Sequence, residues 1–252
     1  EAASSLRTAS LDWLAEFDPA GARAYAATVY AKSGLADEWS VALRNHFRQA
    51  GAGDPEWVAR VQEMFTRDAW FKEKSAGFIE SIDFAVAMSG AAGWEILTGI
   101  LARDPLMRRP VLAALDGWVL QDRAAAIPLL VKSTEELNSI DWRTRSALLS
   151  RADVRDEGQA AQVRAYLLSQ SSSQEEKSEF LRQFPNQNMM LGNRLATNMR
   201  PMTWAGGVEL DAMAMRFIDQ LIATGSTKDL QAALQECRDR LVRYVESAKR
   251  GG

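Results

Sequence analysis

Asp-Pro occurs at Asp18-Pro19, Asp54-Pro55 and Asp104-Pro105, and after each pair the apolar residues return at helical spacing. An Asp side chain accepts hydrogen bonds from the free amides of a first helical turn. Proline suits the first helical position, where its missing N–H leaves nothing unsatisfied. Each pair therefore predicts a helix start. Ser133 with Glu136 and Ser173 with Glu176 have capping-box spacing, and Ser226 with Asp229 has the related acidic form, which marks further starts. Runs of β-branched residues alternating with polar ones are scarce, and no Asn-Gly or Asp-Gly separates such runs. A chain punctuated in this way is expected to be all-α.

Periodicity fills in the elements between the caps. Trp57, Val58, Val61, Met64 and Phe65 share one helix face, as do Leu210, Met213, Ala214, Phe217, Ile218, Leu221 and Ile222. Helices are expected near 8–16, 20–32, 35–49, 55–66, 68–88, 92–102, 105–116, 122–131, 134–139, 142–151, 156–170, 174–184, 188–199, 208–223 and 227–248. Most connectors are under about six residues, and so sequential helices become antiparallel neighbours. The last helix is the most regular: Leu230, Leu234, Cys237, Leu241, Tyr244 and Ala248 form a seam. That seam either closes the core against helix 208–223 or joins two copies as a homodimer through 227–248.

Two internal echoes bear on the higher order. Asp104 to Leu112 and Asp122 to Leu130 share an Asp-x5-Pro-apolar-Leu pattern eighteen residues apart, whereas Trp70, Trp94, Trp118 and Trp142 are spaced by 24. The two periods disagree, so neither is the length of one repeat. In texture, residues 19–170 resemble the degenerate helical repeats of the HEAT and tetratricopeptide superhelices, with no intact consensus signature and no functional residue to carry over. The resemblance implies antiparallel helix pairs stacked as an α-α superhelix, and the alternative is an irregular multi-helix bundle. The expected organisation is a single all-helical domain over 1–252, with a repeat-like array at 19–170 and a C-terminal helical cap at 171–252.

Composition narrows function mainly by exclusion. With 252 residues, 47% hydrophobic and 25% charged, the chain is expected to bury its own core without staples. A net charge of −3, with acids and bases mixed along the chain, supplies no basic footprint for nucleic acid. The longest apolar stretch, Phe84 to Leu101, contains Glu95 and three glycines, so no membrane span is expected within 1–252. The one cysteine, Cys237, and one histidine, His46, do not make a disulfide or a Cys/His zinc site, and carboxylate-only metal binding stays open. Neither cofactor nor metal is expected. The chain begins at Glu1 rather than Met, so a preceding segment is expected, with the compartment open between cytoplasm and periplasm.

No Walker, Gly-x-Ser-x-Gly or His-Glu-x-x-His pattern is present. His46 has no orienting carboxylate or nucleophile identifiable from its neighbours in sequence. Cys237 falls on the apolar seam, where a thiol packs as a small hydrophobe. Glu135-Glu136, Asp156-Glu157 and Glu175-Glu176 lie at helix starts, where negative charge suits the dipole. What stands apart is the stretch from Pro185 to Gly207, rich in Asn and Met. Methionine adapts to irregular partners, while Arg and Trp are common interface anchors. Met189, Met190, Arg194, Met199, Arg200 and Trp204 are therefore the candidate partner-binding residues.

The expected function is a non-enzymatic helical scaffold that binds a protein or peptide partner. The alternative is a small-ligand receptor or enzyme with an inter-helix pocket of carboxylates and arginines, and a third reading is a helical domain of an envelope protein.

Overall fold

The computed structural model describes residues 6–88, 90–132, 141–187, 207–225 and 228–251, which fold as helices with short connections and no strand among them. The described residues separate into two compact units, one running to Gly117 and the other from Trp118 onward. The first holds α1 (Leu6–Phe17), α2 (Pro19–Lys32), α3 (Ala36–Ala50), α4 (Pro55–Met64), α5 (Asp68–Glu73), α6 (Ala76–Glu80), α7 (Ile82–Met88), α8 (Gly90–Arg103) and most of α9 (Arg108–Gln121). The second holds α10 (Arg123–Lys132), α11 (Trp142–Leu149), α12 (Glu157–Leu168), α13 (Gln174–Gln183), α14 (Val208–Thr224) and α15 (Gln231–Gly251). The expected helices at 134–139 and 188–199, and the caps at Ser133 and Ser226, lie outside the described residues.

The caps act as their spacing requires. Asp18 and Asp54 each accept a backbone N–H at 2.9 Å, from Gly21 and Trp57. Ser173 accepts that of Glu176 at 3.1 Å. Asp104 instead caps Leu106 at 2.9 Å and opens a 3-10 turn, Pro105–Met107, after which α9 begins at Arg108. Pro110 explains this correction. An α-helix begun at Pro105 would need the missing N–H of Pro110 in its second turn, whereas in the first turn of α9 no such bond is required.

A second correction concerns 68–88, expected as one helix and found as α5, α6 and α7. Lys74 ends α5 in the left-handed region at φ 46°. It also pairs through Nζ with Asp104 at 2.9 Å. Ser75 then caps α6 by accepting the Phe78 N–H at 3.3 Å. The break lets Gly77 approach α3: its N–H donates to Asp37 at 2.8 Å, and a Cβ there would lie 2.8 Å from the Asp37 Cα.

Within the first unit, α2 packs on α3, α3 on α6, and α7 on α8. The core is aromatic: Trp39, Trp57 and Phe78 are fully buried, with Trp57 5.1 Å from Phe47 and 5.9 Å from Phe84 between ring centres. Each buried indole also needs an acceptor. Trp57 donates to the Leu43 carbonyl at 3.0 Å and Trp70 to that of Gly34 at 2.8 Å.

In the second unit, α10 packs on α12, α11 on α13, α13 on α15, and α14 along α15. Leu230, Leu234, Cys237 and Leu241 are buried as the seam requires. Tyr244 and Ala248 depart from it and are exposed, the place of Tyr244 inside taken by Val245. A helix turns 3.6 residues per turn, so a strict four-three step drifts off the buried face by the third repeat.

Candidate partner-binding groove

The sequence-predicted site, Met189, Met190, Arg194, Met199, Arg200 and Trp204, lies outside the described residues. Its flanks are described. The Gln187 side-chain amide donates to Asp211 at 2.8 Å and accepts the backbone N–H of Gly207 at 2.9 Å, so residues twenty positions apart meet at the start of α14. Beside them is a recess of about 370 Å³ lined by Arg182, Gln183, Gln187, Asp211, Arg240 and Tyr244. This is the carboxylate/arginine chemistry that a small-ligand reading asks for. However, Arg240 is already occupied: its guanidinium donates to the carbonyls of Leu181, Arg182 and Phe184, capping the C-terminus of α13. Burial raises the Asp211 carboxyl, opposed by the Gln187 hydrogen bond.

Cys237 lies beneath this cap. Its Sγ contacts the Phe184 carbonyl at 3.6 Å, and burial pushes the thiol up to about 11, against the opposing charge of Arg240. A thiol protonated at neutral pH and sealed in a core is no nucleophile.

His46 has a structural carboxylate neighbour that only the fold supplies. Asp54 stands 3.3 Å from the imidazole Nε2 through the same Oδ1 that caps Trp57. A cleft of about 500 Å³ nearby is lined by Ala20, Arg23, Tyr30, His46, Gln49 and Glu56. Both imidazole nitrogens and the Tyr30 hydroxyl oxygen are closed off from solvent, so the cleft does not reach them as a base would require. Burial holds His46 below its ordinary 6.5, with Asp54 and Glu56 opposing, and burial raises the Tyr30 hydroxyl.

The sign of the consequence follows by linkage. Below pH 6.5 the unfolded chain takes up a proton that the folded chain resists, so stability that is full above 6.5 declines as the pH falls below it. Chemical denaturation of the wild type and His46→Gln at pH 7.5 and 5.5 checks this. The wild type should lose more stability than the variant over that interval, and equal losses would refute it.

The largest of these cavities, about 740 Å³, runs between α12 and α14 in the second unit. Ala160, Ala161 and Ala165 on α12 and Met213 and Phe217 on α14 form its floor, with Val154 and Leu168 also in the lining. Leu168 is 45% exposed, although it is a large aliphatic side chain. Arg164 on α12 and Arg216 on α14 also line it, with Glu157 in the first turn of α12. Arg164 reaches Gln220 at 3.4 Å and lies 5.9 Å from the Phe217 ring centre, and Arg216 contacts the Met213 sulfur at 3.8 Å. Neither arginine pairs with a carboxylate among the described residues.

The two helices do not pack along each other, because the alanine face of α12 is turned to the groove while α14 is packed along α15. Sequence reading missed this site. Its signal is that Met213, Arg216, Phe217 and Gln220 follow i, i+3, i+4, i+7 spacing with polar members, a stripe too mixed for a core face.

Among the described residues, no group of three or more His, Cys, Asp or Glu is placed to hold a metal ion. No helix among them is long and apolar enough to cross a membrane. No protein-family model, curated protein or solved structure matches this chain.

Proposed function

We propose that the chain is a non-enzymatic helical scaffold that binds a protein or peptide partner, and that the groove between α12 and α14 receives it. The observation that carries the reading is the combination of an apolar floor with two arginines that have no carboxylate to answer them among the described residues. Buried alone, such a floor would close by helix packing. Left open and rimmed with charge, it has the anatomy of a recognition surface, with an apolar centre and a polar edge. Arginine flanking an apolar floor is also among the commoner interface anchors.

Against a ligand-pocket reading, the recess around Arg240 has that guanidinium committed to capping and Arg182 paired with Glu179, and the cleft beside His46 stops short of the imidazole nitrogens. A photo-crosslinking residue at Ala161, irradiated in an extract of the cells that make the protein, tests the proposal. A discrete protein adduct at Ala161 is expected, absent from the same substitution at Gln235 on the outer face of α15. Equal labelling at both positions, or none at Ala161, would overturn the groove assignment.

A further inference from the structure

We propose that the occupant of the α12/α14 groove is an amphipathic α-helix of a partner protein, about three turns long, with carboxylates flanking its apolar stripe. This rests on the scaffold reading and adds the chemistry of the partner.

Length comes first. The groove follows α12, whose twelve residues span roughly 18 Å at about 1.5 Å per residue. A helix of three to four turns covers that distance and an extended peptide would cover it with about half as many residues.

The nature of the walls decides between them. Apart from Val154, the groove lining comes from two helices, whose interior backbone amides and carbonyls are bonded within each helix, and no sheet edge exists among the described residues. An extended peptide on this floor would leave its own N–H and C=O groups facing alanine and phenylalanine without partners. Each such loss carries a desolvation penalty. A helix satisfies those groups internally and presents only side chains, which is the helix-in-groove mode. Ala160, Ala161 and Ala165 carry almost no side chain, so an incoming helix can approach closely. Leu168, 45% exposed, and the half-buried Met213 supply the surfaces that its apolar residues would cover, with the buried Phe217 beneath them.

Charge sets the rest of the pattern. The groove lining contains Arg164, Arg216 and Glu157 as its charged members, two cations to one anion. Arg155, just before α12, pairs with Asp153 at 2.6 Å and lies 4.0 Å from Glu209. Carboxylates on both flanks of the partner's apolar stripe would therefore answer Arg164 and Arg216. A basic residue about two turns away would meet Glu157, because Glu157 and Arg164 are two turns apart on α12. This polarity fixes the direction in which the partner lies as well as its composition.

The probe is a fourteen-residue rhodamine-labelled peptide with leucines at i, i+3 and i+7, glutamates on both flanks and one terminal lysine. It is titrated into the intact protein and read by fluorescence anisotropy. Its companions are the same peptide with lysine for each glutamate, and one with a central proline that breaks the helix. The glutamate peptide should bind on the order of tenfold or more tightly than either companion. Arg164→Glu with Arg216→Glu should invert the preference, so that the lysine peptide binds the variant. Both residues are exposed, and an unchanged melting temperature confirms that the variant is folded. Ala161→Trp should block the probe without altering charge.

Equal binding of glutamate and lysine peptides, undiminished binding of the proline peptide, or a preference that survives charge reversal would each overturn the proposal. So would a homodimer, seen by sedimentation equilibrium, that occupies the groove and dissociates with Ala161→Trp. A crosslinked partner at Ala161 that the glutamate probe does not displace would leave the scaffold reading standing and remove the acidic helix.

Discussion

Glu176→Ala is expected to destabilise the protein by about 3–5 kcal/mol, the penalty for removing one partner of a buried ion pair. Glu176 is 2% exposed, and its two oxygens accept from Arg145 Nε at 2.7 Å and from an Arg145 terminal nitrogen at 2.5 Å. The Tyr166 hydroxyl, itself buried and raised by that burial and by the carboxylate, donates to Glu176 at 3.1 Å. Removing the carboxylate leaves a guanidinium on α11 and a phenol on α12 without the acceptor that faces them from α13. The same position is the third of a capped first turn, but the Ser173 cap uses the Glu176 backbone and survives the change. Replacing both partners with apolar residues, Arg145→Met with Glu176→Leu, should cost far less, since nothing charged is then left behind. Guanidinium denaturation measures both. A Glu176→Ala loss of about 1 kcal/mol or less, the scale of a surface pair, would show that the clamp is solvated.

Trp57→Ala should cost a similar amount, about 3–5 kcal/mol, for a different reason. The indole is fully buried, 5.1 Å from the Phe47 ring and 5.9 Å from the Phe84 ring, and anchored to the Leu43 carbonyl at 3.0 Å. Truncation opens a void where α3, α4 and α7 meet, and aromatic neighbours held by their own helices do not collapse into it fully. Trp13, 60% exposed on α1, is the control, and its truncation should stay within about 0.5 kcal/mol. If the two truncations lowered the thermal midpoint equally, the core assignment would fail.

The helix starts were legible because they are local. Asp18, Asp54 and Ser173 act on amides three positions away, so spacing alone is enough to identify them. The break of 68–88 was hidden because it depends on partners far along the chain, with Asp37 taking the Gly77 amide and Asp104 taking Lys74. Tyr244 was misplaced because a seam read by step size ignores the slow drift of a straight helix. The groove was out of reach for the same kind of reason. Ala160 and Phe217 become neighbours of one cavity only after α12 and α14 take their places, and no spacing in a single segment encodes an absence of packing between two helices. The pairing of His46 with Asp54 is intermediate. The two are eight residues apart, yet they face each other only because α4 folds back on α3.

The chain carries one imidazole and one thiol, and the fold has assigned them to different units, His46 to the first and Cys237 to the second. Each is sealed and so silent while its own surroundings stay closed. The unmodified protein thus contains two independent clocks, a proton resonance on one side and a labelling rate on the other. Whether a bound partner steadies one half of the molecule or both is a question that can be put to the native sequence, with no probe attached.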